Sequence, residues 1–218
     1  WRPEEKGISN LYIKTNPSIV NIIDPNSLCM LMDYFGGGDL DNIIQTQCRT
    51  FTENSIMTFS TNILNVLEYI HSCGFVNNDI KPENIVFNRL NPRNVLLSMP
   101  YIIDFGVSKK YINERGILQE INNSEGTDVW LSTFSMRGES LGMRDDLESM
   151  GYVILNLTTI DCQLPWGRDN VNFKRHPPER LCESVRFPKI KAALIIYFTY
   201  VRGLRLDKFP DYHYIYQI

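Results

Sequence analysis

The chain lacks any paired spacing of cysteines. It has five, Cys29, Cys48, Cys73, Cys162 and Cys182, odd in number and dispersed. That excludes a disulfide-stapled scaffold and any Cys-x-x-Cys metal knuckle, and it reads as reduced thiols in a cytosolic or nuclear protein. Strong charge of one sign is also lacking. With 22 basic and 25 acidic side chains the net charge is -3, so no overall basic field gathers nucleic acid. The longest apolar run, Ala192 to Val201, falls well short of the roughly 20 residues a membrane helix needs. The opening Trp-Arg-Pro-Glu-Glu-Lys has no apolar stretch of the kind a signal peptide carries. The three histidines, His71, His176 and His213, stand apart and form no metal-ligand cluster. There is no internal repeat and no low-complexity linker.

What is present suits one sizeable core: 218 residues, 43% of them hydrophobic. The abundance of Asn and Ile suits an AT-rich genome such as that of a virus or a protist. Trp1 in place of an initiating Met is what a processed product or a fragment would show.

Local signals place the elements. Glu4 to Lys14 has helical composition and stops at Thr15-Asn16-Pro17-Ser18. Ile19 to Ile23 and Leu28 to Phe35, joined by Asp24-Pro25-Asn26-Ser27, read as a β-hairpin. Gly36-Gly37-Gly38 then breaks the chain, and Asp39 caps a helix through Gln47. Thr52 to His71 is the clearest amphipathic helix, with Ile56, Phe59, Ile63, Val66, Leu67 and Ile70 at helical spacing and Gly74 just past its end. Short strands follow at Ile85 to Phe87 and Tyr101 to Ile103. Helices are predicted over Leu147 to Leu157, Pro178 to Val185 and Lys189 to Val201. A little β followed by mostly α makes an α+β domain or a piece of one.

Chemistry concentrates in Asn78-Asp79-Ile80-Lys81-Pro82-Glu83-Asn84 and, further on, Asp104-Phe105-Gly106. Asp79, Asn84 and Asp104 are oxygen donors of the kind Mg²⁺ takes, often together with substrate phosphates. Lys81 is a point charge suited to a phosphoryl oxygen. Each motif adjoins a short strand, so a hairpin would bring the two together. Phosphoryl transfer asks a protein mainly for positioning and charge neutralisation, and these residue types on adjacent loops supply both.

Asp-Ile-Lys-Pro-Glu-Asn with Ile-Ile-Asp-Phe-Gly resembles a eukaryotic-type Ser/Thr protein kinase. Gly126-Thr127, Ser132, the block Arg144 to Tyr152, Leu164-Pro165-Trp166, Leu204 to Asp207 and Pro210-Asp211-Tyr212 are similar to the casein kinase 1 and vaccinia-related kinase group. The likeness runs from about Asn16 to the C-terminus. It implies a protein-kinase-like fold, with residues 1–35 as the remnant of an N-lobe (the end of a helix, a hairpin and the hinge) and 36–218 as a mostly helical C-lobe. ATP and Mg²⁺ are the implied cofactors, and a Ser or Thr hydroxyl of a protein, in acidic surroundings, is the implied acceptor. Asp79 would orient that hydroxyl and take its proton. Lys81 would steady the phosphoryl group, Asn84 and Asp104 would hold magnesium, and Thr127 would bond Asp79 and Lys81. Asp146 would brace the catalytic loop by accepting backbone N–H bonds. Met32 would be the gatekeeper, Asp33 to Phe35 the hinge that reads adenine, and Val86 and Ile103 the floor beneath the ring. Without the resemblance, Met32, Val86 and Ile103 read as core packing.

The sequence departs from that family at three places. Asn77-Asn78 replace the His-Arg pair expected before the catalytic Asp, which implies activity independent of activation-loop phosphorylation. Val129, with Asp128 beside it, stands where casein kinase 1 has a phosphate-binding Arg, leaving Lys174 and Arg175 to attract acids or simply to face solvent. No glycine-rich loop and no strand lysine precede the hinge, and Glu4 and Glu5 have no such lysine to pair with. Those gaps imply weak ATP binding and slow turnover. They also support an alternative, a pseudokinase scaffold. A small-molecule phosphotransferase shares the Asp and Asn but not the Lys81 placement.

Overall fold

The computed structural model describes residues 33–47, 51–88, 94–112 and 129–218. The chain divides into Trp1–Tyr34 and Phe35–Ile218, and every element below belongs to the second unit. The expected helix at Glu4 to Lys14 and all but the last residues of the expected hairpin lie outside the described residues.

Helix α1 spans Leu40–Gln47. Asp39 starts it as expected, its Oδ1 accepting the Asn42 N–H at 2.8 Å. Leu40, Ile43 and Ile44 form its buried face. Helix α2, Glu53–Ser72, opens on a capping box in which Thr52 and Ser55 exchange side-chain-to-backbone bonds. Ile56, Phe59, Ile63, Leu67 and Ile70 are buried along one stripe, and Gly74 turns the chain away with φ of +83°.

Four short strands follow: β1 at Phe75–Val76, β2 at Ile85–Phe87, β3 at Pro100–Ile102 and β4 at Lys109–Lys110. β2 and β3 pair antiparallel with Ile85 opposite Ile102, and β1 pairs antiparallel with β4. The second strand ends one residue earlier than the sequence suggests. Ile103 lies past the ladder, although its N–H still bonds the Asn84 carbonyl at 2.9 Å. The glycine run lies against the outer side of β2. Gly37 N–H donates to the Phe87 carbonyl at 2.8 Å, and a Cβ at Gly37 would come within 2.5 Å of that same oxygen. Only glycine allows this approach.

The rest is helical. α3 spans Met143–Thr158, and all of it except Arg144 is buried. It is the central helix, with α2 and α5 (Pro188–Gly203) packed on it. Tyr152, Leu147, Leu155 and Phe198 are among the residues at the heart of the core. Helix α4 is shorter than predicted, Pro178–Leu181, because the chain leaves it through a turn closed by the Val185 N–H on the Cys182 carbonyl. A last helix, α6 at Tyr212–Gln217, is capped by Asp211. The α+β class, mostly helical, is as expected. Among the described residues no helix is long and apolar enough to cross a membrane.

Candidate active site

Asp146 stands near the start of α3 with its side chain completely buried. A buried carboxylate must be compensated, and this one is. Its Oδ2 accepts the Asn77 N–H at 2.7 Å and its Oδ1 accepts the Asn78 N–H at 2.8 Å. His71, near the end of α2, approaches Oδ2 with Nε2 at 3.0 Å. The bracing expected of Asp146 is therefore seen in detail, and the loop after β1 is held by its backbone from behind.

From this brace the loop projects Asp79, Lys81 and Asn84. Asp79 Oδ2 accepts from Lys81 Nζ at 2.6 Å and from Asn84 Nδ2 at 2.9 Å. Asn84 Nδ2 also reaches the Asp79 carbonyl at 3.0 Å. Asp79 and Lys81 side chains are 13% and 20% exposed, sheltered but accessible. Asp79 Oδ1 accepts no bond from the described residues. Because the Asn84 amide nitrogen is spent on Asp79, its Oδ1 is the atom available to a cation.

Asp104 is brought to this loop by β3, since the Ile103 N–H is bonded to the Asn84 carbonyl. Asp104 itself is exposed, and its Oδ1 accepts the Gly106 N–H at 3.0 Å. That leaves Oδ2 open. Among the described residues no three His, Cys, Asp or Glu side chains gather as a metal cage. A divalent cation here would take Asn84 and Asp104 oxygens and complete its shell from phosphate and water, which is how magnesium is usually held.

Sequence reading undervalued Asn77. Its Oδ1 accepts the Asp79 N–H at 3.1 Å, and its Nδ2 donates to the Asp104 carbonyl at 3.4 Å. The side chain thus spans both motifs from the position where a histidine was expected. An Asn two residues before the N–H it accepts is a recognisable turn signal, and that signal was available in the sequence. Asn78 has φ of +66° and Asp104 +60°, left-handed conformations that Asn and Asp tolerate better than other side chains. Ser108 adds a bond from its Oγ to the Asn77 carbonyl at 3.1 Å.

Val86 is 6% exposed at the centre of β2, and Ile103 is half-buried just past β3. Phe35 is half-buried with its ring centroid 5.0 Å from that of Tyr101, and Asp33 is exposed. Met32 and Thr127 lie outside the described residues. Lys174 requires a correction. It is fully buried, with Nζ donating to the Leu131 carbonyl at 2.8 Å and lying 5.1 Å and 5.7 Å from the Tyr152 and Trp166 ring centroids. A cation in that cage serves packing and cannot attract an acidic side chain from solvent. Arg175 is exposed.

Oxygen donors and one cation on neighbouring loops, held rigid by a buried carboxylate, make a site for phosphoryl transfer. The family comparison narrows that class. The chain matches the family model of the protein kinase domain over residues 9–191, a span that contains both motifs. It belongs to the protein kinase domain family. Members of that family generally use ATP and Mg²⁺, and the open oxygens of Asp79, Asn84 and Asp104 fit that use.

Proposed function

We propose that the chain is the greater part of a casein kinase 1-type Ser/Thr protein kinase, which transfers the γ-phosphoryl group of ATP to a protein hydroxyl. The observation that carries this reading is the bonding of Asp79 to both Lys81 and Asn84 on a loop pinned by Asp146. A chain that had given up catalysis would have no need to keep that constellation. Asp79 Oδ1 meets the acceptor hydroxyl and takes its proton as the oxygen attacks the γ-phosphorus and the bond to the β-phosphate oxygen breaks, releasing ADP. Lys81 neutralises charge on the moving group, and Asn84 and Asp104 would hold a magnesium ion, whose charge would stabilise the phosphates.

The group assignment rests on Ser132 in place of the usual Ala-Pro-Glu, on the Arg144–Tyr152 block and on Pro210-Asp211-Tyr212. These 218 residues supply no glycine-rich phosphate loop and no strand lysine ahead of the hinge, so by themselves they bind ATP weakly and turn over slowly. The acceptor is a Ser or Thr in acidic surroundings, with Arg175 rather than Lys174 as the surface cation. An intracellular location, cytoplasm or nucleus, belongs to the same proposal, and what supports it is the odd number and dispersed spacing of the five cysteines in the sequence. The scaffold reading is favoured by the same missing clamp.

The test is incorporation of labelled phosphate from Mg-ATP into an acidic Ser/Thr-containing protein. Slow transfer is expected, and Asp79→Asn should reduce it about 100-fold or more, the usual scale for removing a general base. Identical label with and without the Asp79 carboxylate would favour the scaffold instead, and label on tyrosine would refute the Ser/Thr assignment.

A further inference from the structure

The bracing of the catalytic loop does not end at Asp146. His71, fully buried, presents its other ring nitrogen to helix α6, where the Tyr212 hydroxyl lies 2.6 Å from Nδ1. Tyr212 is itself buried, and burial pushes its phenol far above the usual range, so it remains protonated. The proton positions follow from valence. Asp146 Oδ2 is a carboxylate oxygen and can only accept, so His71 Nε2 carries the hydrogen. In the neutral ring Nδ1 is then the acceptor, and the Tyr212 hydroxyl donates to it. The order is fixed: Tyr212 O–H to His71, His71 N–H to Asp146, and Asp146 to the Asn77 and Asn78 N–H groups. The histidine backbone is held separately, by the Tyr111 hydroxyl on its carbonyl at 2.7 Å.

We propose that Tyr212 is a positioning residue of the kinase site: through His71 it fixes the Asp146 carboxylate, so that the C-terminal helix α6 sets the geometry of the loop carrying Asp79. The proposal rests on reading Asn77 to Asn84 as the catalytic loop. Two features distinguish this contact from ordinary packing. The hydroxyl gives His71 Nδ1 a buried hydrogen-bond partner, which a phenyl group cannot do. Its neighbour Tyr216 in the same helix packs its ring 6.4 Å from that of Tyr212 but spends its hydroxyl on Glu68 at the surface, outside the chain of bonds to the loop.

The experiment is residue-resolved amide hydrogen exchange on the full chain, comparing wild type, Tyr212→Phe and the control Tyr216→Phe. Tyr212→Phe keeps the ring and removes the link. Exchange at Asn77 and Asn78 should rise about five- to tenfold, the scale of one lost buried hydrogen bond, with amides of α5 unchanged. The control should move neither set. No change at Asn77 and Asn78, or an equal rise throughout α3 and α5, would overturn the proposal. The wild-type protein offers a second measurement that no folding defect can spoil. The nitrogen shifts of His71 should show the hydrogen on Nε2 and an acceptor Nδ1, and the opposite tautomer would refute the ordered chain. Neither readout needs phosphate transfer. A response at these amides in a chain that never transfers phosphate would uphold the link and sink the kinase reading.

Discussion

Asp145 is the most perturbed acid that the structure resolves. Burial raises its pKa from the model-peptide range to about 7, against the lowering effect of the Ser132 hydroxyl, the Gly142 N–H and nearby Arg144. Its neighbour Asp146, one residue on, faces the catalytic loop, whereas Asp145 faces the start of its own helix. The sign of the consequence is fixed by linkage. Between about pH 4 and pH 7 the native state holds a proton that the unfolded chain has released, so this group's contribution is full at low pH and is lost as pH rises through about 7. Urea midpoints measured from pH 5 to pH 8 should show the loss, and Asp145→Asn should flatten that part of the profile while retaining bonds to Ser132 and Gly142. An unchanged slope in the variant would show that Asp145 titrates elsewhere. At this scale the sequence can mislead, and Lys174 shows how. A lysine beside an arginine reads as surface charge, because the Tyr152 and Trp166 faces that enclose it come from elements distant in sequence.

Elements are legible in proportion to how many of their residues repeat a pattern. Helix α2 shows this best. Its stripe and its exit at Gly74 are found where the period puts them, and Thr52, read as the first residue of the helix, is its cap. The cap can be tested directly. Thr52→Ala removes the acceptor for the Ser55 N–H and should lower stability by about 1 kcal/mol in chemical denaturation, and Thr52→Ser should restore most of it. Strands β1 and β4, with two residues each, are too short to show any alternation, and only their pairing across the chain defines them. Helix α6, at six residues, is also short, and its position depends on Asp211 and on the burial of Tyr212 and Ile215. The predicted run Pro178 to Val185 was apolar enough for a helix, yet the helix ends at Leu181 because Cys182 and Val185 are buried through a turn. The site divides in the same way. Asp79, Lys81, Asn84 and Asp104 could be named from their types and spacing. The parts played by Asn77 and His71 depend on which backbone groups arrive beside them.

In the second unit as a whole, α3 is a buried helix that carries acids, and the fold must supply a partner for each. Glu148 ties α3 to two other stretches. It accepts from the Thr133 N–H at 3.0 Å, from the Tyr152 hydroxyl at 2.7 Å and from Arg202 Nε of α5 at 2.8 Å. Arg202 continues outward, donating to the carbonyls of Lys174 at 2.7 Å and His176 at 2.9 Å. One ion pair thereby joins the segment leading into α3, α3 itself, α5 and the stretch before α4. Arg202→Met should cost about 3–5 kcal/mol, since it leaves a buried carboxylate without its cation, and Glu148→Met should cost a similar amount for the converse reason. Against a typical total stability of roughly 5–15 kcal/mol, either loss is severe. The double substitution removes both charges and should be less destabilised than the two single losses added together, because a buried ion pair and an apolar pair of similar volume differ little. Urea unfolding of the four proteins closes the cycle. Strict additivity would mean that Glu148 and Arg202 are held by their other partners and not by each other, and the joint between these four stretches would then have to be sought in the carbonyl bonds alone.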